Sequence, residues 1–125
     1  MPADSQVILW FIGRLLLGGL FVVGGIHHFF NLPAITQALS ARGVPAARLV
    51  LLSGSVFQIF AGLVLIFGFY PMWAALGLVA FTVAASVLLV NFWGMEGPAR
   101  ADAIRTWQSN LAIIGGLLVA AAHSP

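Results

Sequence analysis

The sequence predicts an all-α integral membrane protein: a four-helix bundle with a short interfacial helix between its first and second long helices. Three observations carry that prediction. Hydrophobic residues make up 62% of the chain and mean hydropathy is +1.09, beyond the roughly 45–50% apolar content of an ordinary soluble domain. Only eight of the 125 residues are charged, five arginines and three acids, and Arg14 alone lies deep within an apolar run. Four such runs, residues 7–28, 49–70, 72–93 and 104–122, each match the ~20 helical residues that a bilayer core requires.

In lipid the backbone must satisfy its own hydrogen bonds, and none of these runs alternates apolar with polar as a barrel strand does, so all are read as helices. The first is expected to be capped by Asp4 or Ser5 and to end near Asn31. It is too long and too glycine-rich, with no small-residue cleavage site after it, for a removable signal peptide. In the connection over residues 31–48, Asn31 as a cap, Pro33 in the first turn and Gly43 as a stop frame a short helix at residues 33–42. Ala34, Ile35, Ala38 and Leu39 share one of its faces, which suits a helix lying in the interface or folded over the mouth of the bundle. The second and third runs join through a tight turn at residues 68–71, with Tyr70 and Trp73 at the lipid–water boundary. A second polar connection is expected over residues 94–102, and the last helix ends in the tail His123-Ser124-Pro125. Spans and connections together consume residues 1–125, a single transmembrane domain.

Small residues punctuate the runs: Gly54 and Gly62 around Gln58, Ala80 and Ala84, then Ala112, Gly116 and Ala120. Such positions let helices approach closely and pack by contact, because lipid supplies no hydrophobic drive between them. Arg42, Arg48, Arg100 and Arg105 gather on the side of the two polar connections. By the positive-inside rule, those connections face the cytoplasm and both termini face out, across the cell (inner) membrane.

Composition also excludes chemistry. With no cysteine the chain has no disulfide, no thiolate metal site and no CxxC centre; with no lysine it forms no Schiff base. The pI of 10.6 reflects a few scattered arginines rather than a basic patch, so nucleic acid is not an expected partner. The lipid bilayer is.

Polar residues inside spans are costly and mark function by default. They are Arg14, His27, His28, Gln58, Thr82, Ser86, Asn91, Gln108, Ser109 and Asn110. Arg14, Gly18, Phe21, Gly25 and His28 form one helical stripe, but Arg14 and His28 stand about 21 Å apart along the axis and are not a pair. Arg14 is expected to anchor to headgroups or cap carbonyls. His27, His28, Gln58, Asn91, Trp93, Trp107, Gln108 and Ser109 are the expected ligand-binding residues, converging at the connection-side end. Phe29, Phe30, Phe57, Phe60, Phe92 and Trp107 would rim that pocket, which suits a flat amphipathic ring such as a quinone head group. Polar groups at helix ends also serve simply as interface anchors or interhelical glue. Adjacent histidines point about 100° apart with no partner ligand nearby, so no metal is expected. A bis-histidine haem would need a facing histidine, and His123 belongs to the opposite face. No residue declares itself catalytic.

The pieces Gly13-Arg14-Leu15-Leu16-Leu17, Gly24-Gly25-Ile26-His27-His28-Phe29 and Arg42-Gly43-Val44-Pro45-Ala46 resemble the opening of the DoxX family. Gly62-Leu63-Val64-Leu65-Ile66-Phe67-Gly68, Asn91-Phe92-Trp93 and Ser109-Asn110-Leu111-Ala112-Ile113-Ile114-Gly115-Gly116 extend the resemblance over nearly the whole chain. It implies a small four-helix membrane protein; some such proteins are linked to thiosulfate:quinone oxidoreduction and others to membrane redox complexes. Members often carry Lys at the position of His28, Glu at Gln58, His at Asn91 and Lys at Ser109. This chain softens all four, leaving His28 as the group among them that titrates near neutral pH.

The expected function is an accessory or anchoring subunit of a quinone-linked membrane oxidoreductase, with no intrinsic cofactor, a quinone pocket at the connection side, and a tendency to self-associate. The alternatives are a self-sufficient quinone-linked oxidoreductase, with His28 taking the quinol proton, and a transporter or lipid-handling protein. Absence of broken-helix signals and of charged midplane residues weighs against an ion-coupled carrier.

Overall fold

The computed structural model describes residues 3–122, and the expected tail position His123 lies outside them. Helices α1 (Ala3–Phe30), α2 (Leu32–Ala41), α3 (Ala47–Phe67), α4 (Pro71–Leu89) and α5 (Gly97–Ala122) account for the architecture, with a single 3-10 turn at Phe92–Gly94 and no strand among the described residues. Three stretches are long and apolar enough to cross a membrane: Asp4–Phe30, Ala47–Phe67 and Pro71–Gly94.

The last helix departs from expectation. It begins at Gly97, so most of the stretch read as a polar connection is helical. Pro98 fits its first turn, where a missing N–H costs nothing, and Asp102 pairs with Arg105 one turn later at 2.5 Å. The charges that suggested a loop therefore decorate a helix. α5 is not among the helices long and apolar enough to cross a membrane; even its C-terminal part carries Arg105, Gln108, Ser109 and Asn110. At the other end of the chain, α1 already includes Asp4 and Ser5, so Asp4 sits in its first turn rather than capping it.

α1 packs on α3, α3 on α4, α4 on α5, and α5 returns to α1, while α2 leans on α1, α3 and α4. Each neighbouring pair of long helices is antiparallel. The α1–α3 crossing is the tightest, and glycine makes it so. A Cβ on Gly18 would lie 2.5 Å from the Gly62 carbonyl oxygen, and one on Gly62 would lie 2.7 Å from that of Gly18. One heptad along, a Cβ on Gly25 would meet the Ser55 carbonyl oxygen at 3.1 Å. Small residues seven apart on both helices thus form a seam of backbone contact. Ala80, Ala84 and Ala112, in contrast, are exposed.

The interior is layered. Toward the α3–α4 turn lies an apolar cluster of Phe21, Ala61, Leu65, Ala75, Leu78, Leu117, Ala120 and Ala121. At the opposite end α2 folds inward through Leu39, which packs with Ala47 and Leu51. Between these clusters sit the buried polar side chains Ser55, Gln58, Thr82 and Ser86. α2 ends at Ala41, and Gly43 just beyond it, with φ of +80°, suits glycine as a helix stop. Its apparent cap, Asn31, makes no capping bond and turns back to His27 instead.

Arg14 faces the end of α3. Its Nη1 donates to the carbonyls of Leu65 (3.4 Å) and Ile66 (3.3 Å). These belong to the last turn, where the helix dipole is negative; the Leu65 carbonyl also accepts from the Gly68 N–H.

Candidate functional site

The polar layer is assembled by four helices. α1 presents His28 beside α3, and its Nδ1 shares a hydrogen bond with Ser55 Oγ at 3.2 Å. One turn deeper, the Gln58 carboxamide donates through Nε2 to the Phe21 carbonyl of α1 at 2.9 Å. Gly24 permits this reach, because a Cβ there would stand 2.7 Å from Nε2. That bond fixes which way the amide points, and it leaves Gln58 Oε1 buried without a donor. A buried acceptor left unmatched is costly, so its retention marks this position as a place where a donor from elsewhere is useful.

α4 and α5 complete the layer. Thr82 Oγ1 and Ser86 Oγ each donate to their own helix, to the carbonyls of Leu78 and Thr82, both at 2.7 Å. This is the back-bonding by which helical hydroxyls satisfy themselves. Asn110 of α5 then donates to Ser86 Oγ at 2.8 Å, joining the two helices.

Two cavities meet at His28. The first, about 240 Å³, is bounded by Leu20, Phe21, Gly24 and His28 of α1, Gln58 of α3, Phe81, Thr82 and Ala85 of α4, and Asn110 and Ile113 of α5. The second, about 190 Å³, runs between α3 and α4 beneath Leu39, from Val50, Leu51, Gly54 and Ser55 to Ala84, Leu88 and Leu89. His28, Phe81 and Ala85 border both. The second is almost wholly apolar and ends at exposed residues, Val50 and Ala84; the first carries the amides and ends at the exposed Leu20.

Of the eight residues expected to converge, His28 and Gln58 do. His27, one position away but about 100° around the helix, is exposed and receives a hydrogen bond from Asn31 Nδ2 at 3.1 Å. Asn91 accepts from Arg42 Nε at 2.9 Å, tying the end of α2 to the chain beyond α4. Trp107 donates to the Val90 carbonyl, where α4 ends, and stacks edge-on with Phe92 and at a tilt with Trp93. Trp93, Gln108 and Ser109 are exposed. Among the expected rim aromatics, Phe30 and Phe60 point outward, at 81% and 66% exposure. Phe57 packs against Phe81 with ring centres 6.3 Å apart, and it is Phe81 that borders both cavities.

Ser55 is the residue that expectation missed; Thr82, Ser86 and Asn110 stood among the polar residues of the spans but outside the expected ligand-binding set. A helical-face reading would find Asn110: Ala103, Trp107, Asn110, Leu117 and Ala121 recur at spacings of three, four and seven, and all are buried or half-buried. Gln108 and Ser109 fall off that stripe. Ser55 likewise precedes Gln58 by three, one turn away on the same face.

Three membrane-length apolar helices around a buried layer of amides, hydroxyls and one imidazole define a helical membrane protein whose interior holds its polar chemistry. The chain belongs to the DoxX family, whose sequence model matches residues 9–91. It is also similar to the inner membrane protein YphA of Escherichia coli (strain K12), 22% identical over 121 residues that cover 97% of this chain and 86% of the relative. No solved structure matches it at a comparable level.

Proposed function

We propose that the chain is an accessory or anchoring subunit of a quinone-linked oxidoreductase system of the inner membrane, and that its two joined cavities hold an isoprenoid quinone. One observation supports this reading: an apolar cavity between α3 and α4 and a second cavity edged by Gln58, Thr82 and Asn110 have His28, Phe81 and Ala85 as common walls. A flat head group with two oxygens fits a small chamber with polar edges and an aromatic wall at Phe81, while an isoprenoid tail leaves along the apolar cavity. Ligand sites of this kind are mostly apolar with a few convergent polar groups. The unmatched Gln58 Oε1, an acceptor, can take a hydrogen bond from a hydroxyl of the reduced quinol form, and the second nitrogen of His28 is available to the ring's other oxygen. When bound, a quinone would supply the electron and proton chemistry; this chain contributes the cradle. With no cysteine in the sequence to form a thiol redox centre, electrons in this reading arrive from a partner protein.

In this reading α5 forms a fourth crossing, giving a four-helix transmembrane bundle with α2 in the interface. Its 26 residues reach about 39 Å, and its second half buries Leu117, Ala120 and Ala121 in the common core. Arg42, Arg48, Arg100 and Arg105 then lie together at the α2 end, assigned to the cytoplasm by the positive-inside rule. The inner-membrane setting draws on the similarity to YphA. Exposed glycine and aromatic faces suit self-association as well.

The reading is tested by isolating the full chain from its native membranes in mild detergent. A quinone recovered in near-stoichiometric amount, with an oxidoreductase polypeptide in the same complex, supports it. A ligand-free chain that restores no quinone-linked electron transfer when added back to depleted membranes contradicts it.

A further inference from the structure

On the opposite half of the molecule from His28, a second groove runs between α1 and α5, with a volume of about 370 Å³ and walls from Trp10, Gly13, Leu17, Gly115, Gly116 and Val119. Arg14 borders it. The groove exists because glycine leaves it open: a Cβ on either Gly13 or Gly115 would meet nothing within 4 Å.

Arg14 stands at the rim of this almost wholly apolar groove, its guanidinium turned toward the end of α3, and the described residues give its charge no acid. Their one ion pair joins Arg105 to Asp102, at the other end of the helices. The Leu65 and Ile66 carbonyls take only Nη1. Nε is buried with no acceptor, and Nη2 donates to no protein group among the described residues. The rings of Trp10 and Phe11, with centres 5.6 and 5.8 Å from the guanidinium carbon, add cation–π contact but accept no hydrogen bond in the guanidinium plane. A charged group in such surroundings calls for a counter-ion.

Its depth says where that ion comes from. Arg14 reaches the last turn of α3 and approaches Gly68, beside the turn at which Tyr70 and Trp73 stand 79% and 66% exposed. Aromatic residues of that kind mark headgroup level. We propose that the α1–α5 groove is a binding site for an anionic phospholipid, the phosphate pairing with Arg14 through Nη2 at the groove's rim and an acyl chain lying over Gly115 and Gly116. Arginine's planar fork suits a phosphate better than a point charge does. This site is separate from the His28 chamber and stands or falls independently of the quinone reading.

The test uses the full chain in mild detergent, titrated with phosphatidylglycerol or with phosphatidylcholine of the same acyl chains, and followed by native mass spectrometry. The wild type should retain phosphatidylglycerol with about a fivefold preference, the size one basic residue contributes near anionic lipid. Arg14→Gln should remove that preference, and Arg14→Lys should keep part of it. Because Arg14 also caps α3, the Gln variant could fail to fold; Gly115→Leu leaves Arg14 in place, fills the groove and should lower retention of both lipids. Equal retention of the two lipids by the wild type overturns the proposal. So does an unchanged preference in folded Arg14→Gln, or displacement of the lipid by equimolar inorganic phosphate, which would mark a free-anion site.

Discussion

His28 on α1 and Ser55 on α3 share a hydrogen bond at 3.2 Å, one turn along from the point where Gly25 packs on the Ser55 backbone. The same close crossing that makes the two helices a rigid pair therefore sets the imidazole at the junction of the two cavities. Ser55→Ala keeps the packing and frees the ring. It is expected to weaken quinone retention about fivefold, the worth of one hydrogen bond of about 1 kcal/mol, with little change in thermal stability. His28→Ala should weaken retention further, because it removes the wall that both cavities share. Quinone content per folded protein, measured by extraction and chromatography, checks both.

The backbone seam of α1 and α3 predicts a sharp positional contrast. Gly18→Ala sets a methyl 2.5 Å from the Gly62 carbonyl, an atom that cannot rotate away, so the helices must part at a cost of about 1–3 kcal/mol. Gly13→Ala meets nothing within 4 Å and should leave the melting temperature in detergent unchanged. Equal melting temperatures for the two variants would contradict the crossing.

Gly68 ends α3 with φ at +77° and lies against the Arg14 guanidinium. An alanine there takes on left-handed strain of about 1 kcal/mol and pushes on the arginine that caps α3. Thermal unfolding of Gly68→Ala should show a larger loss than strain alone, and the excess should vanish in an Arg14→Ala background.

α2 is tied to the chain beyond α4 by the Arg42–Asn91 hydrogen bond of 2.9 Å. Asn91→Ala is expected to raise amide exchange over residues 32–41 about fivefold, in keeping with one exposed hydrogen bond. Exchange within α3 should not change. Uniform acceleration across both helices would mean that the bond supports the whole fold rather than the position of α2.

The apolar spans were legible in the sequence because lipid imposes one rule everywhere: about 20 residues without charge. Helix α5 was harder to read. Arg100, Asp102 and Arg105 carry the composition of a loop, and only local geometry, Pro98 in the first turn and the Asp102–Arg105 pair, shows that they are helical. The site was legible where a residue's chemistry was conspicuous, at His28 and Gln58. It was hidden where a small hydroxyl reads as packing, at Ser55, and where neighbouring polar residues compete for one face, as Asn110 does with Gln108 and Ser109. Position on the helix decides there, and residue type alone does not reveal it. Arg14 was legible in part: its role as a carbonyl cap was among the expectations, its groove was not.

A quinone head group proposed to lie between His28, Gln58 and Asn110 can be located by photoaffinity labelling with an azidoquinone, mapped by peptide mass spectrometry in the full chain. Adducts are expected on residues 24–28 of α1 and 81–85 of α4, suppressed by excess unlabelled quinone and lost when Asn110→Leu fills the chamber. Labelling confined to outward residues such as Phe30 and Phe60, or unaffected by Asn110→Leu, would contradict that position.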